Sequence, residues 1–135
     1  MVRPPPEAGS GPGLALRVGI VGSRHFADLA QVERCVGELP AGTRLVTGSA
    51  SGVDATATRA ARRRGLPVQV LGASLEEERD PARGADRNRR LIELCDRLIA
   101  FWDGSSAGTR ATIDRALDAG KEVHVHVAAA PKMGA

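Results

Sequence analysis

The sequence predicts an α/β fold in which one parallel sheet lies between two layers of helices. Three observations support this class. Five short runs are rich in Val, Ile and Leu, as buried strands are, and every interval between them holds apolar residues at helical spacing. Glycine or proline closes three of the helical stretches, at Gly37 and Pro40, at Gly65 and Pro67, and at Gly120. Because strand and helix alternate strictly, right-handed crossovers between parallel strands are expected.

The elements follow in order along the chain. Strands are predicted at 16–22, 44–48, 67–72, 96–102 and 122–127. The four helices are marked by apolar positions at helical spacing, namely Leu29, Val32, Val36 and Leu39; Val53, Ala57, Ala60 and Ala61; Leu91, Ile92 and Cys95; and Ile113, Ala116 and Leu117. The strand order most compatible with this pattern is 3-2-1-4-5, which predicts a Rossmann-like three-layer sandwich with a five-stranded parallel sheet.

The length of 135 residues suits one domain. Residues 1–13 are rich in Pro, Gly and Ser and have almost no apolar content, so we expect a flexible tail there. The domain is predicted at 14–129, and a short C-terminal tail at 130–135. No stretch approaches the roughly 18 apolar residues that a membrane span needs, and no secretory signal is recognisable. The sequence therefore predicts a cytoplasmic protein with no membrane partner.

Composition argues against several function classes. The formal net charge of +3 does not by itself indicate a nucleic-acid partner, and it is carried mainly by arginine, which suits carboxylates and phosphates. Cys35 and Cys95 lie on helix-like apolar faces, as reduced buried cysteines do. His124 and His126 share one face of the last strand, but no further ligand is spaced to complete a zinc site. We therefore expect neither a metal nor a cofactor.

The predicted strand order locates the binding crevice. Ligands of such sheets bind beyond the carboxyl ends of the strands, at the point where the strand order reverses. Here the order reverses between strands one and four. The loops that matter are then 22–26, 48–54 and 103–110, and all three are rich in Gly and Ser.

The loop after strand two admits two interpretations. Gly48, Ser49 and Gly52 line a turn that leads into a helix. From Ser51 to Asp54 the sequence has the S-x-x-D form of a capping box, in which the acid accepts a hydrogen bond from the N–H of the cap residue. A carboxylate in the first turn also repels a phosphate placed there. We therefore interpret the loop as a tight turn with a structural Asp54; the alternative is a carboxylate that accepts from a ribose hydroxyl.

The loop after strand four is predicted to hold the anion. It leads into a helix whose N-terminus offers unpaired N–H groups and about half a positive charge. Arg110 lies in the first turn, where a cation opposes the helix dipole, so a bound anion explains it better than the alternative of an exposed arginine. Asp103 is placed to orient Arg110 or Ser23. The predicted ligand contacts of this loop are Gly104, Ser105, Ser106, Gly108, Thr109 and Arg110.

Two more features belong to the predicted crevice. Arg87 and Asn88 open the third helix, where we expect them to face the ligand; the alternative is a solvated basic face. Trp102 ends strand four, where it either stacks on a base or simply packs against the fold.

Three segments together resemble a known family. GSRHF follows strand one, TGSASGVDATA follows strand two, and GADRNRRLIELCDRLIAFWDGSSAGTR covers the third helix and fourth strand. In order and spacing they resemble the YspA-type branch of the SLOG superfamily, whose relatives include the DprA and LOG proteins. The resemblance spans about residues 16–127 and implies a Rossmann-like domain that binds nucleotides or their derivatives and pairs into dimers or larger assemblies. The site residues it implies are Gly22, Ser23, Arg24, Gly52, Asp54, Arg87, Asn88, Gly108 and Thr109.

The sequence departs from the LOG hydrolases at one position. Their corresponding segment carries a glutamate that takes part in cleaving a base from its ribose phosphate, and Thr112 occupies that place here. The predicted function is therefore binding, in sensing or processing, of a nucleotide or nucleotide-derived phosphorylated ligand. The phosphate is expected against 104–110, the sugar near Ser23 and Asp54, and the base against Trp102 or Phe26.

Two alternatives remain open. The first is a nucleoside-monophosphate phosphoribohydrolase, with Asp54 or Asp103 stabilising the positive charge that develops as the N-glycosidic bond breaks. The second is DprA-like binding of single-stranded DNA along a basic track. The scarcity of aromatic residues argues against nucleic acid, because such proteins stack bases on aromatic rings. The track would consist of Arg24, Arg87, Arg89 and Arg110.

Overall fold

The predicted α/β class is confirmed by a computed structural model, which describes residues 15–50, 52–72 and 81–127, with the backbone alone for 81–84. The predicted tails at 1–13 and 130–135 lie outside the described residues. The elements are β1 (Arg17–Gly22), α1 (Leu29–Gly37), β2 (Arg44–Gly48), α2 (Val53–Arg63), β3 (Val68–Leu71), α3 (Pro81–Leu94), β4 (Arg97–Trp102), α4 (Ala107–Asp118) and β5 (Glu122–Val127).

The five strands form one parallel sheet in the order β3-β2-β1-β4-β5, as predicted. β1 is the central strand: its Gly19 lies opposite Val46 of β2 and Leu98 of β4. The strand order reverses between β1 and β4, so the loops that leave these two strands meet at one edge of the sheet.

Two apolar cores lie on opposite faces of the sheet, because successive residues of a strand point to opposite sides. One core packs the sheet against α1 and α2, and the other packs it against α3 and α4. The first contains Val18, Ile20, Leu45, Ile99 and Phe101 from the strands, and the second contains Val21, Val46, Leu98 and Ala100.

Glycines in β1 let the helices approach the sheet closely. A Cβ built on Gly22 would lie 2.4 Å from Cγ2 of Val53, and one built on Gly19 would lie 2.7 Å from Cδ2 of Leu91. The first turn of α2 therefore rests directly on the end of β1. This contact brings Asp54 to the edge of the sheet where the loops meet.

α4 buries two of its three predicted apolar positions. Thr109, Thr112, Ile113 and Ala116 are buried, whereas Leu117 is 56% exposed. Leu117 follows Ala116 by one residue and is thus rotated by about 100° around the helix, away from the sheet. Of the helices in the described ranges, none has the length and apolar character that a membrane span requires.

Candidate functional site

A cavity of about 200 Å³ lies at the predicted edge of the sheet. It is bounded by the ends of β1 and β2, the first turns of α2 and α4, and the middle of α3. We call it the crevice. Its lining residues are Val21, Gly22, Arg24, Gly48, Ala50, Asp54, Arg87, Asn88, Ser106, Gly108, Thr109 and Thr112.

A buried carboxylate and a guanidinium meet over Gly48. Asp54 is only 7% exposed and accepts a hydrogen bond from the Ala50 N–H at 3.3 Å. A Cβ on Gly48 would lie 2.7 Å from Asp54 Oδ2 and 3.6 Å from Arg87 Cζ, so the absence of a side chain at this position leaves room for both groups. Burial raises the pKa of Asp54 to about 6. The Ala50 hydrogen bond and the positive charge of Arg87 both lower this pKa, but burial has the larger effect.

The predicted capping box would make Ser51 the N-cap residue of α2, which the structure does not. Helix α2 begins after Gly52, which is the N-cap residue and provides no side-chain cap. Gly52 has φ of 78°, a left-handed conformation that favours glycine. The Asp54 carboxylate turns back to the loop and accepts from the Ala50 N–H. Ser51, the other half of the predicted box, lies outside the described residues.

The turn between β4 and α4 is partly closed by its own side chains. One oxygen of Asp103, Oδ1, accepts from the N–H groups of Ser105 at 2.9 Å and of Ser106 at 2.7 Å. These hydrogen bonds, first that of Ser105 and then that of Ser106, lower the pKa of Asp103. The Ser106 hydroxyl caps the helix by accepting from the Thr109 N–H at 3.4 Å.

Two of the backbone N–H groups in the loop that is predicted to hold the anion therefore already have an acceptor. Ser105 and Ser106 cannot offer their N–H groups to a phosphate while Asp103 accepts from them. Within the described residues, the N–H groups of Ala107 and Gly108 have no acceptor. Gly108 lines the crevice, and a Cβ built on it would meet no described atom within 4 Å. The N–H groups without an acceptor therefore lie in the first turn of α4 and not in the preceding loop.

Ser23 joins the two loops of the switch point. It is 1% exposed, and its hydroxyl accepts from the Asp103 N–H at 3.0 Å while donating to Thr109 Oγ1 at 3.2 Å. Of the two residues that Asp103 is predicted to orient, Arg110 and Ser23, it contacts Ser23, through its own backbone N–H, and Ser23 does not line the crevice. Its role in the structure is to hold the β4–α4 turn against the end of β1.

Asn88 connects α3 to α4 across the crevice. Its amide nitrogen donates to Thr112 Oγ1 at 3.1 Å, and its amide oxygen accepts from Arg87 Nη2 at 3.3 Å. Thr112 in turn donates to the Gly108 carbonyl at 3.0 Å. The buried hydroxyl of Thr112 therefore lies on the wall of the crevice.

Several predicted residues lie away from the crevice. The Arg110 side chain is 69% exposed and lies 3.8 Å from Asp114, its partner one turn along the helix. Trp102 packs on the second core and donates from Nε1 to the Ser106 carbonyl at 3.0 Å. Phe26 is 4% exposed and packs edge-to-face on Phe101, so its faces are not available to a base. The other predicted ligand contacts that do not line the crevice are Ser23, Ser49, Gly52, Gly104 and Ser105.

The predicted ligand contacts leave out three lining residues, Val21, Ala50 and Thr112. Thr112 had a signal, because it lies three residues after Thr109 and therefore on the same face of α4. Over the described ranges, no cluster of His, Cys, Asp and Glu has a geometry that could hold a metal ion.

The fold and the crevice together define a Rossmann-like α/β protein with a polar cavity at the topological switch point. No family model matches the sequence, and no curated protein matches it. A solved structure is similar in fold: the X-ray structure of DNA processing protein A (DprA) from Streptococcus pneumoniae, at a TM-score of 0.70 and 21% identity. The match covers 82% of this chain and 50% of the DprA chain, so this chain corresponds to about half of that protein.

Proposed function

We propose that the crevice binds a nucleotide or a nucleotide-derived phosphorylated ligand, and that the chain is a YspA-type member of the SLOG superfamily. One observation carries the proposal: two arginines, a helix N-terminus and a buried carboxylate all line one cavity, and no acceptor in the described part of the chain occupies the first N–H groups of that helix. Arg24 and Arg87 supply positive charge, and Gly108 supplies the open helix end. Asp54 supplies an acceptor for sugar hydroxyl groups.

The size of the cavity limits what it holds. Its volume of about 200 Å³ is below the roughly 300–1,000 Å³ that is usual for ligand pockets. We therefore assign the phosphate and the sugar to the crevice and place the base beyond the lining residues. This assignment differs from the sequence prediction, which placed the base against Trp102 or Phe26.

Calorimetry with nucleoside monophosphates tests the proposal. Arg87→Ala is expected to weaken binding by about tenfold or more, because a hydrogen bond to a charged group contributes about 1.5–3 kcal/mol. Arg110→Ala is the matched control, since it removes the same charge from a side chain outside the crevice. Equal affinities for these two variants would contradict the assignment of the phosphate site.

An N-glycosidic hydrolase is the second candidate, and the buried Asp54 favours it. Although burial raises its pKa to about 6, the carboxylate is still largely ionised at neutral pH, as needed to stabilise positive charge on a ribose ring. Free base released from a nucleoside monophosphate, and abolished in Asp54→Asn, would establish this activity. Asp103 is a poorer candidate for the same role because the backbone of its own turn engages its carboxylate.

Single-stranded DNA is the remaining candidate, since the similar solved structure is that of a DNA processing protein. Two arginines of the proposed track are paired with acids: Arg89 with Asp86, and Arg110 with Asp114. Affinity that falls steeply with salt and needs several nucleotides would favour DNA over a mononucleotide. We also propose a homo-oligomer, which analytical ultracentrifugation tests directly.

A further inference from the structure

A second cavity, of about 380 Å³, lies on the opposite side of α1 from the helix α2. Its floor is the face of β4 and β5 that bears the first core, and its wall is the outer side of α1. We call it the α1 groove. It is lined by Gln31, Arg34, Cys35, Glu38, Leu39, Pro40, Arg97, Ile99, His124 and His126.

The floor of the α1 groove is polar, in contrast to the apolar core beside it. β5 places Glu122, His124 and His126 on this face, since they alternate along the strand, and its valines face α4. A partner helix laid on this floor would desolvate these groups, at a cost that apolar contacts do not recover. The groove therefore fits a small polar ligand better than an apolar protein surface.

Arg97 is the centre of this floor. Its side chain is 17% exposed, and Nε lies 2.9 Å from Glu122 Oε2 as an ion pair outside hydrogen-bonding geometry. Among buried side-chain nitrogens and oxygens in the part of the chain that the structure describes, Nε of Arg97 alone has no hydrogen-bond partner. Glu122 is also bound by His124, whose Nε2 lies 2.6 Å from the same oxygen. Oε2 of Glu122 is thus close to both groups, while the N–H at Nε of Arg97 has no hydrogen-bond acceptor among the described residues.

The remaining polar groups surround this guanidinium. His126 lies flat on Phe101, with ring centroids 4.9 Å apart, and its Nδ1 is 3.1 Å from the Gln31 amide nitrogen. Arg34 is exposed on α1 at the rim and has no ion-pair partner within the described residues. Two carboxylates offset part of this positive charge: Glu38 lines the groove, and Glu122 is ion-paired with Arg97 on its floor.

We propose that the α1 groove is a second ligand site, independent of the crevice, for a small molecule that carries a phosphate or a carboxylate. Arg97 binds the oxyanion from the floor, and Arg34 closes over it from the rim, as planar guanidinium groups do with planar or tetrahedral oxyanions. The ring of His126 and the aliphatic walls formed by Leu39 and Ile99 hold the uncharged part. The volume of the α1 groove falls within the usual range of about 300–1,000 Å³ for ligand pockets.

Nuclear magnetic resonance of the isotope-labelled full chain tests this proposal, with inorganic phosphate and citrate as probes at constant pH and ionic strength. Saturable shifts are expected for the ring resonances of His124 and His126 and for the Gln31 amide. Arg34→Gln is expected to weaken the binding of the probe by about tenfold, because it removes one charged hydrogen-bonding partner. Arg115→Gln is the matched control, as an exposed arginine on α4 across the sheet. Arg97→Gln is expected to weaken the binding of the probe further. If Arg97→Gln does not fold, Arg34→Gln still tests the proposal, because Arg34 lies on the exposed rim.

A variant of the crevice distinguishes this proposal from the proposed function. Arg87→Gln should leave the shifts at His124 and His126 unchanged, whatever it does to nucleotide binding. Shifts that do not saturate, equal affinities in Arg34→Gln and Arg115→Gln, or loss of the groove shifts in Arg87→Gln would each overturn the proposal. Citrate that binds more tightly than phosphate would identify the ligand as a carboxylate.

Discussion

Replacement of Asp54 by asparagine should stabilise the fold at neutral pH while weakening ligand binding. Burial holds the pKa of Asp54 at about 6 in the folded chain, against an ordinary value of 3.8. The folded state therefore keeps its proton up to about pH 6, whereas the unfolded chain loses it near pH 4. Between these values the folded state binds more protons, so this group makes stability fall as pH rises.

The magnitude follows from the same pair of values. Each pKa unit corresponds to about 1.4 kcal/mol, so the rise from 3.8 to about 6 amounts to about 3 kcal/mol at and above neutral pH. The asparagine side chain would keep an oxygen that accepts from the Ala50 N–H, and it carries no charge to desolvate. We expect Asp54→Asn to match the wild type below about pH 4 and to exceed it by up to about 3 kcal/mol above about pH 7.

Urea unfolding over a pH series measures this difference. Subtracting the wild type from the variant removes the contributions of the other carboxylates, such as that of Asp103, whose pKa is lowered. Asp114→Asn is the control, because that carboxylate is 61% exposed and its pairing with Arg110 contributes about 1 kcal/mol at most. A difference between Asp54→Asn and the wild type that does not change with pH would refute the reasoning.

The remaining predictions concern close packing around the crevice. Gly48→Ala is expected to destabilise the fold by about 1–3 kcal/mol and to abolish nucleotide binding, because its Cβ would lie 2.7 Å from a buried Asp54 oxygen. Gly108→Ala meets nothing within 4 Å and should retain stability, as thermal unfolding of the two variants will show. Ser23→Ala leaves the Asp103 N–H without its acceptor, with an expected loss of about 1–3 kcal/mol. Ser23→Thr cannot serve as a control, because Ser23 is only 1% exposed and an added methyl group would be overpacked. The urea midpoint measures the stability of Ser23→Ala, and an unchanged midpoint would contradict the bridging role.

The sheet could be predicted from sequence because its determinants are regular. Alternation of strand-like and helical stretches fixes the crossovers, and the switch point follows from the strand order without reference to any side chain. The same reasoning correctly placed Gly48, Asp54 and Arg87 around one cavity, because each lies at the end of a strand or on the helix face above it.

Two features of the site were not predicted from the linear pattern. One is the direction in which a side chain points around a helix axis, and the other is the binding of backbone N–H groups by a side chain of the same turn. Arg110 follows Thr109 by one residue, so it is turned about 100° away from the buried stripe of α4 and toward Asp114. The amides of the β4–α4 turn were predicted to be free, but Asp103 accepts from two of them. An aspartate followed by Gly and Ser favours this kind of local turn, so the signal was present in the sequence.

The direct contact of Gly22 with Val53 has a practical consequence for redesign. No substitution at position 22 preserves the spacing between β1 and α2, because even a methyl group would overlap Val53. The base of the pocket is thus set by main-chain geometry and is a poor target for mutagenesis libraries. A search for altered ligand preference should randomise Arg24, Asn88 and Thr112, which line the crevice with their side chains and lie outside the strands.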